Sequence, residues 1–61
     1  MKGFIEVRGC FENEDFFKTF FININQIVMF DDYEIFISNN VCPFTCDKTK
    51  DQIKQLIKQA Q

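Results

Sequence analysis

The chain has 61 residues, nine of them Phe, with no Trp, no His, two Gly, one Pro and a net charge of −2. That is material for one domain over 1–61, and Gly and Pro are too few for a disordered chain. An acidic balance argues against nucleic acid as the default partner. The absence of His beside a lone Ser38 leaves no ordinary nucleophile–base pair, so no enzyme is expected. No apolar stretch has the length of a bilayer span, and no membrane partner is expected.

Phe4 to Cys10 alternates, with Ile5 and Val7 on one side and Glu6 and Arg8 on the other. It predicts a strand over about 4–10, with Gly9 marking a bulge or the strand's end. Phe11-Glu12-Asn13-Glu14-Asp15 is polar and predicts a hairpin connection. The run Phe16-Phe17-Lys18-Thr19-Phe20-Phe21-Ile22 predicts a second strand over about 16–22. Alternation places Phe16, Phe20 and Ile22 on one face and Phe17 and Phe21 on the other, so both faces need cover.

Asn23-Ile24-Asn25-Gln26 breaks the pattern as a tight turn, because Asn forms Asx hydrogen bonds and tolerates left-handed backbone. Strands are predicted over about 27–30 and 33–38, with a turn at Asp31-Asp32 between them. Asn39-Asn40 fits a two-residue hairpin turn with positive φ at both positions. A fifth strand is predicted over about 41–46, in which Pro43, lacking an N–H, requires an edge or an outward orientation. Ile53, Leu56, Ile57 and Ala60 fall at i, i+3, i+4 and i+7, the apolar stripe of a helix over about 50–60. Thr49 with Gln52 three residues on matches a capping box. The expected fold class is α+β: a small, bent antiparallel sheet of four or five strands with one C-terminal helix packed on one face.

The folding energies of so short a chain nearly cancel. Ordering 61 residues costs about 90 kcal/mol at roughly 1.5 kcal/mol each. A chain of this size buries about 3,800 Å² of apolar surface, worth about 95 kcal/mol at 25 cal/mol per Å². One slim helical stripe shelters only part of one sheet face, so a second copy or another protein is expected to finish the cover. The residues expected to form that interface are Phe17, Phe21 and Phe36 on the helix-free face, with Phe11 at its edge.

Three further groups bear on chemistry. Cys42 and Cys46 have a spacing seen in zinc sites, but there is no His and Cys10 is the only other thiol, which leaves at most a three-Cys set completed by Asp47. On a strand the pair would share a face about 13 Å apart, too far for a disulfide. The simpler reading is small buried hydrophobes, and no metal or cofactor is expected. Glu12, Glu14, Asp15, Asp31 and Asp32 fall in predicted turns, where acids serve solvation and turn geometry. Lys50, Lys54 and Lys58 share one helix face as candidate contacts for phosphates or an acidic partner. Lysines there also suit the helix dipole and a wet surface. An odd number of cysteines without a secretory leader predicts reduced thiols and a cytoplasmic location.

The segment Phe21-Ile22-Asn23-Ile24-Asn25-Gln26-Ile27-Val28 is followed by the hairpin Tyr33–Ser38, Asn39-Asn40, Val41–Phe44 and a helix with Ile53, Leu56 and Ile57. Over roughly Phe20 to Ile57 this outline resembles the small FlbD-type proteins of bacterial flagellar operons, and is similar to the C-terminal half of LytTR DNA-binding domains. It departs from them in having Asn39-Asn40 where Asn-Gly is favoured, in Pro43 and the two cysteines, and in an acidic segment where LytTR domains are basic. The resemblance implies a compact sheet with a C-terminal helix and a binding or regulatory role, and no DNA-contacting position is carried over. The expected function is thus a non-catalytic protein-interaction module, self-associating as a homodimer and/or binding a partner protein, in a bacterial or phage regulator. Two alternatives are a phage-encoded inhibitor of a host defence or nucleic-acid enzyme, acting in the host cytoplasm, and a weak nucleic-acid binder through the helix lysines.

Overall fold

The computed structural model of the protein describes residues 2–11, 16–40 and 42–61. Five strands, β1 (Phe4–Cys10), β2 (Lys18–Asn23), β3 (Ile27–Asp31), β4 (Glu34–Ile37) and β5 (Phe44–Cys46), form one antiparallel sheet, followed by a helix α1 (Lys50–Ala60). The α+β class expected from the sequence is the class observed. Sheet order is β2-β1-β5-β4-β3, so the two edge strands are consecutive in the chain. A single 3₁₀ turn, Ile24–Gln26, joins them. Four strand spacings of about 4.8 Å would hold the edges of a flat sheet about 19 Å apart. Three residues of 3₁₀ helix span only about 6 Å. The sheet therefore curls until its edges converge at this turn, which Asn23 caps by accepting the Asn25 N–H at 2.9 Å.

Register decides which side chains line the inside of the curl. Ile5 opposes Ile22 and Val7 opposes Phe20 across β1 and β2. Gly9 opposes Cys46, Phe44 opposes Ile35, and Ile35 opposes Phe30 along the rest of the sheet. Directly opposed residues point to the same side, so these share the inner face. Ile5, Val7, Ile22, Ile35, Phe44 and Cys46 are buried there in one cluster with Ile53 and Ala60 of α1. The rings of Phe11, Phe20 and Phe44 meet edge to face, with centroids 5.4, 5.0 and 5.1 Å apart, a geometry favoured by their opposed ring charges. Gly9 makes this packing possible: a Cβ there would lie 2.7 Å from Phe44 Cζ and would run into the Thr45 carbonyl oxygen.

The helix is held at both ends. Thr49 and Gln52 form the expected capping box: the Gln52 side chain accepts the Thr49 N–H at 2.9 Å, and Thr49 Oγ1 accepts the Gln52 N–H at 3.4 Å. A second cap comes from 18 residues away, where Asp32 Oδ1 accepts the Lys50 N–H at 2.9 Å. Such caps satisfy N–H groups that the helix itself leaves unpaired. The adjoining Tyr33 donates its N–H to the Lys48 carbonyl at 2.8 Å, and Cys46 donates to the Tyr33 carbonyl at 3.0 Å. At the other end the Gly3 N–H donates to the Ala60 carbonyl at 2.7 Å.

Several boundaries differ from the sequence expectation. The second strand begins at Lys18, so Phe16 and Phe17 precede it and do not take opposite faces of a strand. The turn between β3 and β4 is Asp32-Tyr33, with Asp31 opposing Glu34 and Tyr33 at φ 63°. Asn39-Asn40 does not form a two-residue hairpin, because β5 begins only at Phe44. Instead the Asn40 N–H donates to the Ile37 carbonyl at 3.1 Å, and of the two only Asn39, at φ 71°, has positive φ. That is the third position of a β-turn, where types with positive φ accept Asn. Pro43 sits just ahead of β5, where no ladder bond is asked of it. The expected turn at Glu12, Glu14 and Asp15, and the start of the fifth strand at Val41, lie outside the described residues.

Candidate functional site

The face turned away from the core is built by the same register. Phe4, Glu6 and Arg8 of β1 stand on it beside Thr19, Phe21 and Asn23 of β2, with Glu6 directly opposite Phe21. Phe4 opposes Asn23, which makes it the diagonal neighbour of Phe21, about 7–8 Å away and within reach of an aromatic side chain. Both rings are open to solvent, Phe21 at 54% and Phe4 at 38%. Phe16 and Phe17, just ahead of β2, are exposed at 68% and 41%. Across the sheet, Met29 and Phe36 oppose each other on the outer face, Met29 exposed and Phe36 half-buried. A bulge between Ile27 and Met29 leaves Val28 exposed as well.

The four aromatic residues singled out from the sequence thus fall in different settings. Phe21 and Phe17 are exposed at one edge of the sheet, Phe36 lies on the outer face of β4, and Phe11 is half-buried against the core rings of Phe20 and Phe44. The structure adds Phe4 and Phe16. The alternation that put Ile5 and Val7 inside also put Phe4 outside with Glu6 and Arg8, so Phe4 was legible. Phe16 was not, since its exposure follows from the strand starting two residues later.

Among the described residues the polar candidates do not converge. Asp31 Oδ1 accepts the Asp32 N–H at 2.8 Å, and Asp32 is spent on the helix cap, so both serve local geometry. Among the described residues no group of three or more Cys, Asp or Glu is placed to hold a metal ion. Cys46 is buried on the inner face, whereas Cys10, opposite Thr45, stands on the other. Burial pushes the Cys46 thiol above its ordinary value, against weaker opposing pulls from the Lys48 backbone and the Lys48 charge; the thiol itself donates to the Lys48 carbonyl at 3.7 Å. Such a thiol stays protonated and unreactive at neutral pH. Lys50, Lys54 and Lys58 are exposed along one side of α1. Two shallow, open grooves flank the helix; one has Gln52, Gln55, Gln59 and Leu56 along it, the other Glu6, Arg8, Thr19 and Leu56. No described helix is long and apolar enough to cross a membrane.

Compared with protein-family models, with curated proteins and with solved structures, the chain matches none.

Proposed function

We propose that this protein is a non-catalytic protein-interaction module with a regulatory role in the cytoplasm, and that it engages protein through the aromatic edge of its outer sheet face. The observation that carries the reading is the pair Phe4 and Phe21, diagonal neighbours across β1 and β2 and solvent-exposed on the side opposite the core. Phe16 and Phe17 are exposed as well, beyond the other end of β2, and the four residues together expose on the order of 400 Å² of aromatic surface, taking about 200 Å² per side chain. Exposed apolar surface of a few hundred Å² on a small domain commonly marks a binding site. A surface that recognises protein suits the expected regulatory role.

The test compares the wild type with a Phe4→Glu/Phe21→Glu variant, by sedimentation across concentration and as bait in lysate of the source cells. The reading stands if the variant keeps its fold but loses self-association, or loses a partner that the wild type captures near stoichiometrically. It falls if the wild type is monomeric throughout and the two baits capture the same proteins.

A further inference from the structure

We infer that β2 is a self-pairing edge: two copies of this chain join β2 to β2 in antiparallel fashion, with Phe21 on the two-fold axis, to make one continuous ten-stranded sheet. The inference rests on the interaction reading above and names both its partner and its element.

The phase of the β1–β2 ladder supplies the first argument. The Ile24 N–H donates to the Gly3 carbonyl at 3.0 Å, and Phe4 pairs with Asn23 in the same ladder. Antiparallel pairs alternate between those that exchange hydrogen bonds and those that do not. Ile22, Phe20 and Lys18 therefore direct their backbone groups toward β1, while Thr19, Phe21 and Asn23 direct theirs away from it. No strand among the described residues pairs with that outward side. The outward groups thus belong to the same three residues whose side chains stand on the outer face, with Phe21 in the middle.

The second argument is that of the two edges only β2 is fit to pair. Strand β3 carries the bulge at Val28, a device that interrupts a ladder and protects an edge. Strand β2 runs six residues without bulge, Pro or Gly. An edge of that kind is a template for another strand.

Symmetry then selects the occupant. A two-fold axis normal to the sheet keeps inner faces together only if paired residues have the same parity. Centring on Phe21 pairs it with its own copy and sets Thr19 opposite Asn23, whose carbonyl also serves the 3₁₀ turn that follows. Phe20 then opposes Ile22 on the inner face, joining apolar to apolar. The exposed ring of Phe21 meets its own copy across the seam, an aromatic cross-strand pair of the kind that stabilises a sheet.

The charge placed at residue 21 tests this directly, because the pairing brings position 21 against itself. Wild-type protein is expected to dimerise in the micromolar range by sedimentation equilibrium. Phe21→Glu and Phe21→Lys each set like charges face to face and are expected to weaken dimerisation at least about tenfold. An equimolar mixture of the two is expected to recover association. Residue 21 is exposed, and circular dichroism checks that both variants keep the fold. Amide hydrogen exchange at Thr19, Phe21 and Asn23 is expected to slow as wild-type concentration rises. The inference is overturned by a wild type that stays monomeric into the millimolar range, by variants that associate as wild type does, by a mixture that stays monomeric, or by a dimer without added protection in β2. If the chain is monomeric yet Phe21→Glu abolishes capture of another protein, the interaction reading survives and the self-pairing edge does not.

Discussion

Replacing Gly9 by Ala tests how tightly β1, β5 and the aromatic cluster are locked together. The added Cβ would sit 2.7 Å from Phe44 Cζ and 2.8 Å from Phe44 Cε2, with the Thr45 carbonyl oxygen nearer still. Ordinary van der Waals contact begins near 3.4 Å, so the ring would have to retreat by about 0.7 Å. It has nowhere to go, since Phe44 is fully buried and held edge-on by Phe11 and Phe20. The carbonyl belongs to β5, only three residues long, so moving it separates β5 from β1. Overpacking of a tight core costs about 1–3 kcal/mol, and the added backbone clash places Gly9→Ala near the upper end, about 3 kcal/mol. A domain of this size has a stability of only about 3–9 kcal/mol, and each kcal/mol moves its melting temperature by about 4–8 °C. Thermal unfolding followed by circular dichroism should therefore show a fall of about 12–24 °C. Gly3→Ala is the control. A Cβ at Gly3 meets nothing within 4 Å, but φ is +86°, so the cost is backbone strain of about 1–2 kcal/mol. The reasoning is refuted if Gly9→Ala melts within about 4 °C of wild type, or if Gly3→Ala proves the more damaging change.

Other outcomes follow from the helix and the buried thiol. Removing either helix cap, by Thr49→Ala or Asp32→Ala, should cost about 1 kcal/mol, measured by urea denaturation; Asp32→Asn, which keeps the accepting oxygen, should cost less. Ile53→Ala deletes a side chain with no exposed surface and should cost about 2–5 kcal/mol in the same assay. Burial raises the Cys46 thiol above its ordinary value near 9, so in alkali the unfolded chain gives up this proton first. Its stabilising contribution is complete below that pH and is lost as pH climbs through the raised value. Cys46→Ala should flatten the decline of stability above pH 9, and at neutral pH Cys46 should react with an alkylating reagent far more slowly than half-buried Cys10.

Much of this was readable locally and some of it was not. The helix and its capping box follow from residues within four positions of one another, and periodicity alone placed Ile5 and Val7 inside. The composition of Phe16 and Phe17 is that of a strand, but the ladder ends at Lys18, and composition does not reveal where pairing stops. Turn propensity predicts a tight hairpin at Asn39-Asn40, yet the chain uses one Asn for positive φ and pairs again only from Phe44. The pairing of β1 with β5, the reason for Gly9 and the cap lent by Asp32 are all meetings of residues far apart in the chain. Phe11 illustrates the same limit: its place among Phe20 and Phe44 depends on strands brought together only by folding. What sequence did convey about the candidate surface was that aromatic residues outnumber the shelter available, with Phe21 among those left outside.

The bond from Gly3 to Ala60 makes the two extremities of the fold neighbours. Fraying of the first strand and unwinding of the last helical turn each cost this same link. A few added residues would suffice to bridge residue 2 to residue 61 and close the backbone into a ring. New ends could then be opened in the stretch 38–43, and the circular permutant should still assemble the same curled sheet.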